Sequence, residues 1–227
     1  VRLYAVVEGQ TEERLVKQVL GPHLDALGVV ITPIVVTTGH EKATGRPHRG
    51  GGGRWALWKR HIEILCREHH QHDVRFTTWL DLYAFPKGLV DLVELESKTA
   101  SPSRPAALES AMAQDIPDWR FIPYVQRHEL EALVLASLDG LRAALDPSQL
   151  AGLEALNAEI GDFAPEDVDG GRETAPSKRL EAHIAGYQKR VHALAAIQHV
   201  GLDAVRRVCP GFDAWVKKLE RLAVTDD

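Results

Sequence analysis

The segment Val6-Val7-Glu8-Gly9-Gln10-Thr11-Glu12-Glu13 constrains this chain more than any other. A short apolar run, Leu3 to Val7, precedes it. An amphipathic stretch follows, with Leu15, Val16, Val19, Leu20, Leu24 and Leu27 at a helical period. The order predicts a strand over 3–7, a tight glycine turn and a helix over about 11–27. That turn falls at the carboxyl end of the first strand, where open α/β sheets bind their ligands. Phosphate-binding loops place Gly and Lys there, because a helix N-terminus attracts anions. Glu8 reverses the charge and suits a cation, Mg²⁺ or Mn²⁺, held by oxygen ligands.

The rest of the first half continues the α/β pattern. Val29–Val36 is β-branched and apolar and predicts a second strand, with Pro33 placing it at an edge or a bulge. Residues 38–54 lack periodicity and are rich in glycine, which predicts a loop. A helix over 55–70 leads to a third strand over 74–80 that ends at Asp81. Residues 82–103 read as irregular. A helix over 104–115, a fourth strand over 120–126 and a helix starting at His128 complete the unit. Strands alternating with helices predict a mostly parallel sheet. Beyond about residue 139 only helical patterns recur. The expected organisation is an α/β domain over 1–137 and an α-helical lobe over 138–227.

Carboxylates recur where strands end: Glu8 after the first, Asp81 after the third, Glu129 and Glu131 after the fourth. In a parallel sheet these ends share one edge. Carboxylates gathered within about 4–6 Å repel one another, and a divalent cation relieves that repulsion. Each residue alone could equally be solvated or cap the next helix. Glu129 and Glu131 do not share a helix face, so one can serve the site while the other holds a neighbouring group. Glu12 lies one turn beyond Glu8 on the same side. His128 is a candidate general base or ligand, or simply a hydrogen-bonded helix start.

The loop carries Lys42, Arg46, Arg49 and Arg54, together with His40 and His48, against the single acid Glu41. It reads as a phosphate-contacting flap or as a plain surface loop. His69, His70 and His72 lack metal-site spacing. Lys178-Arg179 and Lys189-Arg190 are short basic pairs, solvated unless the fold carries them to the acidic edge. Trp119, Phe212 and Trp215 read as core. A net charge of −5 excludes a wholly basic nucleic-acid-binding surface but leaves room for a local basic groove. Cys66 and Cys209 lie outside any CxxC pattern and read as reduced thiols of a cytoplasmic protein. No apolar run approaches the ~20 residues of a membrane span, and no signal-peptide pattern opens the sequence.

The VEGQTEE turn, TTWLDLYAFPKG and RFIPYVQRHELEALVLAS resemble a bacterial Toprim-like family related to the overcoming-lysogenization-defect and RloB-like nucleases. FAPED, TAPSKRL and CPGFDAW resemble the same family, so the likeness covers nearly the whole chain. It implies a nuclease acting on DNA or RNA with Mg²⁺ or Mn²⁺, encoded beside a partner ATPase in anti-phage defence. A homo-oligomer is compatible with it, and a non-catalytic sensor subunit is the alternative. The wider group has a Glu after the first strand and Asp-x-Asp after the third. Glu8 and Asp81 match, while Tyr83 stands at the second Asp, where this family commonly has an aromatic residue. Glu129 or Glu131 would then supply a further ligand. Arg54, Lys178 and Arg179 would stand near phosphate.

Overall fold

The computed structural model describes residues 1–40, 47–49, 53–168, 171 and 174–223. Strand β1 (Arg2–Val7) lies inside the main sheet, flanked by β2 (Val30–Val35) and β5 (Val74–Asp81). Both neighbours run parallel to it, with Val7 level with Val35 on one side and Trp79 on the other. Glu8 and Asp81 therefore leave the sheet at the same edge. β2 is the outer strand, so Pro33, which has no N–H to donate, removes nothing from an inner ladder.

The fourth strand is broken in two, β6 (Phe121–Ile122) and β7 (Val125–Gln126), each parallel to β5. Pro123 falls in the break. Two buried threonines of β5 stitch the interrupted strand back on. The Thr77 hydroxyl donates to the Ile122 carbonyl at 2.6 Å. The Thr78 hydroxyl donates to the Tyr124 carbonyl at 3.0 Å and accepts the Tyr124 N–H at 2.9 Å. Thr77 also accepts the Trp215 indole N–H at 2.9 Å, which fastens the C-terminal helices to the sheet.

Side chains alternate across the sheet as the pleat requires. Leu3, Ala5, Val7 and Trp79 enter one apolar cluster; Val6, Val74, Phe76 and Leu80 enter the other. The second cluster is closed by α3 (Trp55–Glu68) and α5 (Arg104–Asp115). The first is closed by α1 (Gln10–Leu15) and α2 (Gly21–Asp25), and by the helices that follow the sheet. Those are α6 (Glu131–Leu135), α7 (Leu138–Ala144), α8 (Leu150–Ile160), α9 (Pro176–His183), α10 (Leu194–Val200), α11 (Leu202–Val208) and α12 (Pro210–Glu220). Among the described residues no helix is long and apolar enough to cross a membrane.

Several local expectations change. The first helix contains a π turn, Val16–Leu20, closed by the Gly21 N–H on the Val16 carbonyl, and Leu27 lies exposed past its end. A Cβ on Gly21 would sit 3.0 Å from that carbonyl, so glycine eases the widened turn. Part of the 38–54 loop forms an antiparallel ribbon, β3 (Thr37–His40) with β4 (Pro47–Arg49). Inside the supposedly irregular 82–103 lies α4 (Leu92–Lys98), started by Asp91, whose carboxylate accepts the Val93 and Glu94 N–H groups. None of the residues of α4 is fully buried. His128 does not begin a helix. Its φ of 61° is left-handed, and α6 starts three residues later. Trp119 is not core: it is 64% exposed, with the Arg75 guanidinium 4.3 Å from its ring centre.

Candidate functional site

The carboxyl edge of the sheet gathers four acids in a cleft of about 270 Å³ or against its wall. Glu8 comes from the turn after β1, Glu12 from α1, Asp81 from the end of β5 and Glu131 from the start of α6. All four are buried. Gly9 leaves room for Glu12 here: a Cβ at that position would press on the Glu12 carboxylate at 3.0 Å. The Glu8 carboxylate accepts the backbone N–H of Asp81 at 2.7 Å, tying the ends of β1 and β5 together.

A cation from the other end of the chain completes the cluster. The Lys189 ammonium lies 2.9 Å from Glu131 Oε2, 3.6 Å from Glu12 Oε1 and 4.0 Å from Asp81 Oδ2. It enters from a π turn, Lys189–Ala193, that runs directly into α10. Such turns often occur at functional sites because they displace side chains from regular helical positions. Arg190 lines the mouth of the same cleft.

Burial dominates the protonation of these acids. It pushes Glu8 up to about 8, helped by the Glu12 charge and opposed by the Asp81 N–H and by Lys189. Burial likewise raises Asp81 and Glu131, with Lys189 pulling both back. Lys189 itself is desolvated, which favours the neutral amine, but Asp81, Glu131 and Glu12 outweigh this and hold it protonated. The site is thus a low-dielectric pocket in which four carboxyl groups share one fixed positive charge, and burial drives the acids toward their neutral form.

The donor chemistry suits a hard divalent cation: every acid offers oxygen, and Asp81 Oδ1 is buried without a hydrogen-bond partner among the described residues. The placement does not yet suit one. Among the described residues no three Asp, Glu, His or Cys side chains converge to hold an ion. The space between Glu12, Asp81 and Glu131 is taken by the lysine.

Other residues singled out from the sequence lie elsewhere. Glu129 turns away from Glu131, and its Oε1 accepts the Ser177 N–H at 2.5 Å in the first turn of α9. His128 is fully buried and bonds through Nε2 to the Glu166 carbonyl at 3.0 Å. The Tyr83 N–H donates to the His128 carbonyl at 2.9 Å, and the two rings lie 5.2 Å apart. Lys178 pairs with Glu181 at 2.9 Å. Arg179 is tied to Glu159 and to the Thr174 carbonyl. Neither basic residue of α9 lines the acidic cleft. Arg54 is exposed at the start of α3, bridged through its backbone to Lys87. Arg49 contributes backbone to β4 opposite Thr37; its side chain, like Lys42 and Arg46, lies outside the described residues. Of the basic pairs, Lys189-Arg190 is the one that reaches the acidic edge. Its one sequence signal was the adjacency of two cations after Gly186 and Tyr187.

Fold and site together define a class: a parallel α/β protein with a buried carboxylate–lysine cluster at the carboxyl edge of its sheet. The chain belongs to the family described as Domain of unknown function (DUF4276), whose model matches residues 7–220. No curated protein matches it. Its structure is similar to the C-terminal region of the Xanthomonas campestris pv. campestris OLD protein. The TM-score is 0.42 at 15% identity, over 97% of this chain and 93% of that one. At that score the likeness carries no functional argument.

Proposed function

We propose that the chain hydrolyses phosphodiester bonds in DNA or RNA at the Glu8–Glu12–Asp81–Glu131–Lys189 cluster, with Mg²⁺ or Mn²⁺ as cofactor. One observation carries the reading: acids from β1, α1, β5 and α6 meet a protonated lysine beside a cleft at the ligand-binding edge of a parallel sheet. Lys189 and Arg190 offer positive charge to the phosphate. Burial raises the proton affinity of Glu8 above that of an ordinary carboxylate, the direction that suits a general base for the attacking water. A divalent cation, when bound, supplies Lewis acidity at the phosphoryl oxygens. In this proposal the activity serves anti-phage defence beside a partner ATPase, a context suggested by the motif resemblance alone.

The experiment is cleavage of plasmid DNA and of tRNA in Mg²⁺ or Mn²⁺ by the wild type, Glu8→Ala and Asp81→Ala. Loss of cleavage in both variants is expected. Unchanged cleavage in both removes the cluster from the chemistry. A second reading, a non-catalytic subunit of an ATPase complex, is favoured by the lysine filling the cluster and by Tyr83 packing against His128. A wild type that binds nucleic acid and the partner ATPase but cuts no nucleic acid would support it.

A further inference from the structure

Lys189 does something that none of the acids accounts for. Three carboxylates on three separate elements turn toward one ammonium, which is still 34% exposed along its side chain. The lysine is carried by a segment with built-in pivots: Gly186 has a φ of 75°, and Gln188 is extended just before the π turn. Meanwhile the Asp81 side chain, nine-tenths buried, lines the cleft, and its Oδ1 has no hydrogen-bond partner among the described residues. The cluster is thus neutralised in part by a tethered cation and keeps one ligand atom unused.

We propose that Lys189 is an internal counter-ion that a divalent cation must displace, so that docking of Lys189 and metal loading exclude each other. The inference rests on the function proposed above and adds its regulation. A dication entering between Glu12, Asp81 and Glu131 meets the ammonium at close range in a poorly screened pocket, and like charges there repel strongly. Two outcomes follow. With the ion absent, Lys189 holds α1, β5 and α6 together. With the ion bound, the ammonium swings to the mouth of the cleft beside Arg190, where a phosphate would enter.

The test titrates Mn²⁺ alone, by calorimetry, into wild type, Lys189→Met and Lys189→Arg. Lys189→Met is expected to bind Mn²⁺ about tenfold tighter or more, because the competing charge is gone. Lys189→Arg, which keeps the charge, should stay near wild type. Lys189→Met should also melt lower than wild type in chelator and regain the loss in Mn²⁺. If Lys189→Met fails to fold without metal, tryptic cleavage of the wild type after Lys189 decides: saturating Mn²⁺ should accelerate it. Mn²⁺ binding that is no tighter in Lys189→Met, or wild-type cleavage after Lys189 indifferent to Mn²⁺, overturns the inference while leaving metal-dependent hydrolysis standing. Absence of Mn²⁺ binding in every variant overturns both.

Discussion

Glu8→Gln in metal-free buffer probes the electrostatics of the cluster most directly. The glutamine keeps a side-chain oxygen for the Asp81 N–H, now 2.7 Å from Glu8, and removes only the ionisable group. Burial raises Glu8 from 4.5 to about 8. Between those values the native state binds a proton that the unfolded chain has released, so wild-type stability falls as pH rises through that window. At about 1.4 kcal/mol per unit, the full contribution is roughly 5 kcal/mol at most. Glu8→Gln escapes this loss. Urea unfolding in chelator, from about pH 5 to about pH 9, should show a flatter stability profile for the variant and a gain of at least about 1 kcal/mol at the alkaline end. The gain should vanish at the acid end, where both proteins carry a neutral group. Parallel profiles for the two proteins would refute the claim that an unfavourably buried carboxylate sits at the end of β1.

The remaining predictions concern the frame and the mouth of the site. Glu166 is buried and accepts the Gly211 and Phe212 N–H groups at 2.7 and 3.0 Å, at the start of α12. Glu166→Ala should cost about 2–4 kcal/mol in urea unfolding, and a loss below about 0.5 kcal/mol would deny it that role. Gly140→Ala would set a Cβ 2.0 Å from the Ala196 carbonyl, where α7 crosses α10. It should destabilise by about 3 kcal/mol; a wild-type melting temperature would show that the helices do not approach so closely. Arg190→Ala should weaken nucleic-acid binding and lower its salt dependence by about one phosphate contact, whereas Arg179→Ala, already tied to Glu159, should leave the salt slope unchanged.

How much of this was legible in the sequence depended on how local each cause is. Strand ends and a glycine turn are written in a few consecutive residues. Glu8 and Asp81 were therefore visible as a pair, and Glu12 followed from one turn of helix. Choosing between Glu129 and Glu131 was not local. It turns on the left-handed His128, which delays α6 and points the two carboxylates to different partners. Trp119 and Trp215 look alike as residues, yet one lies on the surface under Arg75 and the other is sealed against Thr77 and Tyr124.

The sequence by itself determined the parallel α/β framework, the acidic edge and the helical remainder, because periodicity and turn chemistry act over short stretches of chain. Only the tertiary structure decided what neutralises that edge. Lys189 reaches Glu12, Asp81 and Glu131 because the helices after the sheet pack on the same apolar cluster as β1 and α1, and no local pattern encodes that approach. A buried charge must find its partner wherever packing brings one. Here the partner comes from the far end of the chain.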